Sequence, residues 1–234
     1  MDVTTIIFAL LAIFVVWKLR SVLGTRTGNE QPPVDTLRRR TPEPQADDAS
    51  RTVLRFPGGG AEPERQASPA DRRAAWLRVP GVQERVMNGL EAIAAADPTF
   101  EPKTFIEGAK AAYEMIIMSF AAGNRTALQD LLSKEVFESF AAAIADREQR
   151  GDTVDTTFVS IDRVIIEDAQ LRAPHAQVSL RFQSKLITAT RDRSGAIIDG
   201  HPDKVVDMVD VWTFARDTTS RDPNWPLVAT EAGA

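Results

Sequence analysis

Gln177-Val178-Ser179-Leu180-Arg181-Phe182-Gln183 alternates apolar and polar side chains without a break. Successive side chains of a strand point to opposite faces, so Val178, Leu180 and Phe182 share one face and Ser179, Arg181 and Gln183 the other. The stretch from Gln177 to Thr190 is therefore expected as a strand rich in β-branched and aromatic residues. Arg193-Ser194-Gly195 reads as the turn that follows it. Working outward, Lys204 to Ala215 and Leu227 to Thr230 supply two later strands, and Val154 to Ile166 an earlier one. Glu167-Asp168 reads as a turn between the first two.

Upstream of Gly151 the period becomes helical. Val82, Val86, Leu90 and Ile93 recur on one stripe and stop at Asp97-Pro98. Asn88 and Gly89 fall on the remaining surface of that helix. A longer stripe follows with Phe105, Ala109, Ala112, Tyr113, Ile116, Ile117 and Phe120, stopped by Gly123-Asn124. Leu128, Leu131 and Leu132 form a short third helix. Ser133 caps a fourth, whose apolar face is Val136, Phe137, Phe140, Ala141 and Ile144 and whose terminator is Gly151. Helices first and strands afterwards predict an α+β domain, its helices packed on one face of a curved antiparallel sheet.

The N-terminal third has a different character. Val3 to Trp17 carries no charge, and Ile6, Ile7, Phe8, Leu10, Leu11, Ile13, Phe14, Val15, Val16 and Trp17 make it a candidate membrane anchor over residues 1–23. Leu19, Val22 and Leu23 lengthen the run, while Lys18 and Arg20 can snorkel to the headgroups. A cleaved signal peptide would place positive charge before the apolar run; here Asp2 precedes it and the basic residues follow. The positive-inside rule then puts the rest of the chain in the cytoplasm. Residues 24–78 hold prolines, the Gly58-Gly59-Gly60 triplet and few apolar side chains beyond Val53, Leu54 and Phe56. That composition predicts a disordered tether rather than a second domain. Its Arg38-Arg39-Arg40 run is either a site for anionic lipid or a solvated charge run. The folded domain is expected over 79–234.

Charge and composition exclude several functions. Residues 1–96 carry 13 Lys/Arg and 11 Asp/Glu, a net of +2, and residues 97–234 carry 15 and 22, a net of −7. An acidic folded half repels phosphate backbones, so no nucleic-acid partner is expected. The chain has no cysteine, which removes disulfides, thiolate metal sites and a cysteine nucleophile together.

Several segments are similar to the Tim forty-four-like family, the domain named for a peripheral subunit of the mitochondrial inner-membrane presequence translocase. Asp97-Pro98-Thr99-Phe100, Phe105-Ile106-Glu107-Gly108-Ala109-Lys110 and Leu131-Leu132-Ser133-Lys134-Glu135-Val136 carry the resemblance. So do Val209 to Asp217 and Asp222-Pro223-Asn224-Trp225-Pro226-Leu227-Val228-Ala229-Thr230. The resemblance implies a cone-shaped nuclear-transport-factor-two-like fold in which helices close over a bent sheet around an apolar pocket. Phe105, Tyr113, Ile117, Phe182, Trp212 and Phe214 are the candidate lining of that pocket. Family members are scaffolds that bind membranes and recruit partners, a chaperone among them, and bacterial relatives carry an N-terminal anchor. The family's long mitochondrial front region is replaced here by the proline-rich segment, so chaperone binding does not transfer residue by residue. Val82, Val86, Leu90 and Ile93 are the candidate docking stripe for lipid or a partner; the same stripe would equally complete the fold.

Cones of this type also host enzymes, so titratable residues need weighing. His175 and His201 each neighbour a proline, which points to loops or turns. Neither pairs at a metal-ligand spacing, and no metal or other cofactor is expected. Asp210, between Val209 and Val211-Trp212, is the best candidate base if burial raises its pKa. Pairing with Arg216, Arg181 or a backbone amide would make it structural instead. The expected function is that of a non-enzymatic, membrane-anchored adaptor for protein translocation or membrane-protein assembly. The alternative is a tethered binder of small apolar ligands or an isomerase-type enzyme.

Overall fold

The computed structural model describes residues 69–233. The expected anchor and most of the expected tether lie outside them. Among the described residues, five helices and a single-turn 3-10 helix precede four strands: α1 (Pro69–Trp76), the 3-10 turn Glu84–Val86, α2 (Met87–Ala96), α3 (Pro102–Ala121), α4 (Arg125–Gln129), α5 (Lys134–Arg150), β1 (Thr153–Arg172), β2 (His175–Arg191), β3 (Ile197–Asp217) and β4 (Leu227–Ala232). The strands form one antiparallel meander in the order β1-β2-β3-β4. This is an α+β domain.

The alternation in β2 sets the inner face. Ala176, Val178, Leu180, Phe182, Ser184 and Leu186 are all buried, and their odd-numbered neighbours are not. α2 and α3 pack against β1 and close this face into one core. Three register shifts bend β1, one of them between Ile166 and Asp168. Glu167 is the extra residue there. The structure thus corrects the expected Glu167-Asp168 turn: the strand runs on to Arg172, because Glu167 escapes the ladder and accepts from Arg181 Nε at 2.6 Å on the outer side. β3 likewise starts well before Lys204 and carries His201-Pro202 within it, not in a turn. A proline is tolerated here because β4 pairs only with Asp210–Phe214, which leaves this half of β3 at an edge.

Helix boundaries follow the local chemistry. Ser133 Oγ accepts from Val136 N at 3.4 Å to start α5, and Gly151 ends it with φ 77°. Asn124 caps α4 through Ala127 N at 3.1 Å.

The expected tether is corrected at its end. Pro69–Trp76 is helical, and Trp76 is 2 % exposed, inserted into the core. Its indole Nε1 donates to Glu101 Oε2 at 3.0 Å, and Arg73 pairs with Glu84 and with Glu91. The polar composition hides this helix because one tryptophan supplies most of its burial.

A second correction concerns Gly89, which faces the sheet rather than open surface. A Cβ built there would lie 1.8 Å from the carbonyl oxygen of Ala169 in β1. Glycine is what lets α2 approach the strand this closely.

Candidate functional site

The expected pocket residues divide into two groups. Tyr113 of α3 stacks on Phe182 of β2 with ring centroids 4.3 Å apart and planes 8° apart, and Trp212 of β3 tilts against it at 4.5 Å. These rings fill the space between α3 and the sheet. At their centre the Tyr113 hydroxyl donates to Asp210 Oδ2 at 2.6 Å and lies 3.0 Å from Ser184 Oγ. Asp210 is therefore held by a tyrosine from a helix far along the chain, and not by Arg216 or Arg181. Burial pushes the Asp210 carboxyl above its ordinary value, and the Tyr113 hydrogen bond pulls the other way. Burial, then the neighbouring carboxylate, pushes the Tyr113 phenol up as well. The chemistry available is a carboxylate of raised pKa in an aromatic surround, with one side-chain hydrogen bond, from Tyr113. Ile117 is half-buried against the same core.

Phe105 and Phe214 belong to a different place. Phe105 meets Trp225 edge-on at 4.9 Å and Phe214 at 6.2 Å, while Phe100 lies 5.7 Å from both Phe105 and Trp225. This aromatic cluster floors a surface groove of about 400 Å³. One wall is the outer face of α3, with Thr104, Gly108 and Met115; the other is formed by Leu131 and the Pro223-Asn224-Trp225 loop. Met115 is 48 % exposed, and nothing lies within 4 Å of a Cβ added at Gly108. Glu101 and Asp130 line the groove and are exposed. The one guanidinium in the lining, Arg216, is neutralised by the buried Asp97 and donates through Nε to the Asp222 carbonyl at 3.0 Å. The groove is thus apolar at its floor and acidic at its rim.

The Asp97 carboxylate also accepts from Thr99 N at 3.1 Å and from Thr99 Oγ1 at 2.6 Å. Asp97-Pro98-Thr99-Phe100 therefore fixes the turn that presents Phe100 to the groove and locks that turn to β3. A model of the Tim44-like domain matches residues 86–232. The chain belongs to the Tim44-like domain family. Human "Mitochondrial import inner membrane translocase subunit TIM44" is 23 % identical over 148 residues, 62 % of this chain and 33 % of that protein. The chain thus matches about a third of the length of this mitochondrial relative. An uncharacterized protein of Rickettsia prowazekii is 24 % identical over 226 residues, 95 % of this chain and 93 % of its own. A solved putative dehydratase of the NTF2-like family from Streptomyces avermitilis aligns with TM-score 0.32 and 14 % identity, over 57 % of this chain and 99 % of that one.

Within this Tim44-like domain the other singled-out residues are dispersed. The expected helix does not start at Val82: Val82 precedes the 3-10 turn, Val86 ends it, and only Leu90 and Ile93 lie on α2; all four are buried in the core with Met87. Contact with lipid or a partner through these four side chains would require α2 and the segment before it, from Val82, to leave the core. His175 is exposed where β2 begins; His201 is exposed on β3, and its Nδ1 accepts from Asp203 N at 3.2 Å. Among the described residues no three His, Asp or Glu side chains gather as a metal ion would require. The sequence alone does not single out Trp225 and Met115 as groove residues. Trp225 was visible as an aromatic in a proline-flanked loop, but nothing local says which wall it joins.

Proposed function

We propose that the protein is a membrane-anchored adaptor that recruits protein partners at the bacterial inner membrane, for protein translocation or membrane-protein assembly. The observation that carries this reading is the groove: a half-buried Trp225 over buried Phe100 and Phe105, with an acidic rim, on a Tim44-like domain whose interior is filled by Tyr113, Phe182 and Trp212. An apolar floor takes apolar side chains of a partner, and the rim favours a partner carrying Lys or Arg beside them. The mitochondrial relative named as an inner-membrane translocase subunit points to the same setting. Residues 1–23 serve as a single-pass anchor with the domain in the cytoplasm, and Arg38-Arg39-Arg40 adds attraction to anionic lipid. Residues between anchor and domain set the local concentration of the groove at the membrane. A chaperone is a candidate partner.

A second reading, a tethered binder of small apolar ligands or an isomerase-type enzyme, draws on one observation: the Asp210–Tyr113 pair of raised pKa. The rings packed around that pair leave it 9 % exposed on the Asp210 side, which favours the adaptor. Crosslinking in native membranes, followed by identification of what copurifies with the intact chain, separates the two. Membrane or secretory proteins captured at the groove support the adaptor; a small molecule retained at Asp210 supports the alternative.

A further inference from the structure

The groove and one stretch of the N-terminal third are complementary. Arg51-Thr52-Val53-Leu54-Arg55-Phe56 intersperses three apolar side chains, Val53, Leu54 and Phe56, with two arginines. Three apolar side chains suit the Phe100, Phe105 and Trp225 floor, and Arg51 and Arg55 suit the Glu101 and Asp130 rim.

Reach is satisfied as well. The chain enters the described domain at Pro69, and α1 brings Trp76 into hydrogen-bond contact with Glu101, itself a groove residue. Pro69 lies about 10 Å along the helix axis from Trp76. The twelve residues 57–68 that separate Phe56 from Pro69 span at most about 40 Å. The segment can therefore arrive at the groove of its own chain. A second copy is the competing occupant, and the concentration dependence of a crosslink distinguishes the two.

We propose that Val53, Leu54 and Phe56 occupy the groove of their own chain, so that a partner must displace them to dock. This rests on the reading of the groove as a docking surface. As an intramolecular ligand the segment competes at high effective concentration. Partner binding is then weaker in the intact chain than the groove alone would allow.

The absence of native cysteine makes the test direct. Gly58→Cys and Met115→Cys are introduced together into the full chain, and disulfide formation is followed under mild oxidation. An intrachain disulfide is expected to form rapidly. Adding Val53→Ser, Leu54→Ser and Phe56→Ser to the same pair keeps the reach and removes the apolar anchors. The rate should then fall by about tenfold or more, the change that about 1.4 kcal/mol of lost docking gives. Equal rates with and without the three serines would overturn the proposal. So would a disulfide that forms between chains and scales with protein concentration, since a second copy would then be the occupant. No partner is needed for this readout, so its failure leaves the adaptor reading standing, and a failed partner recovery leaves the crosslink standing.

Discussion

Gly89→Ala and Gly108→Ala are the same substitution in two helix interiors, and the structure assigns them opposite signs. In an exposed helix interior alanine is favoured over glycine by about 1 kcal/mol. Gly108 has open space where the Cβ would go, so Gly108→Ala should stabilise the domain by about that amount. At Gly89 the new Cβ would stand 1.8 Å from the Ala169 carbonyl oxygen and 2.6 Å from its carbon. Backbone cannot give as a side chain can, and Ala169 is held in register opposite Val178 in the sheet. α2 must therefore move off β1 by more than an ångström, which loosens Met87, Leu90 and Ile93, all fully buried. Overpacking costs of about 1–3 kcal/mol set the lower end, and loss of fit along three large side chains adds to them. The net expectation is a loss of about 2–4 kcal/mol, or a fall of roughly 5–15 °C in Tm for a domain of this size. Urea unfolding followed by circular dichroism measures both variants against the parent. A Gly89→Ala protein as stable as the parent, or more so, would refute the close α2–β1 packing.

Other perturbations have definite expected outcomes. Val86→Asp with Leu90→Asp buries two unpaired charges and should cost about 5 kcal/mol or more; an unchanged Tm with lost liposome binding would instead make α2 a detachable docking helix. Asp97→Ala leaves Arg216 buried without its carboxylate and should cost about 3–5 kcal/mol, read from the urea midpoint; a loss under 1 kcal/mol would mean the pair does not hold the groove turn. For Asp210 the native carboxyl titrates above the unfolded one, so its contribution is fully present below about pH 4 and is lost as pH rises through the raised native value. Asp210→Asn can still accept from Tyr113 and should gain on the parent as pH rises above about 4; a stability difference flat with pH would contradict the burial of that charge.

What the sequence reveals here depends on the range of the interaction that decides it. Ser133 and Gly151 bracket α5 because their cap chemistry acts within a few residues, and the stripes of α2 and α3 follow from helical period alone. The core of β2 is equally plain, since strict alternation leaves one face for the helices. The ends of β1 are not plain, because a bulge that puts Glu167 outside the ladder, held by an arginine from the next strand, carries the strand past a charged pair. Gly89 reads as a helix cost until the opposite strand is in place, and Trp76 reads as part of a polar segment until Glu101 receives its indole. Most of the site depends on long-range contacts. Asp210 is recognisable as an isolated acid among apolar residues, but its partner Tyr113 comes from a different layer. The groove joins Phe100, Phe105, Leu131 and Trp225 from four segments that only the fold brings together.

The central claim, that the groove is the recruiting surface, is tested by recovering partners with the full chain and with a Gly108→Glu, Met115→Lys variant. Both positions are exposed, so the variant should fold and melt with the parent while its groove is filled and charged. After crosslinking in native membranes, the parent should capture a set of membrane or secretory proteins that the variant loses by about tenfold or more, equivalent to about 1.4 kcal/mol of binding. Recovery of the same set in the same amounts by the folded variant would contradict the account.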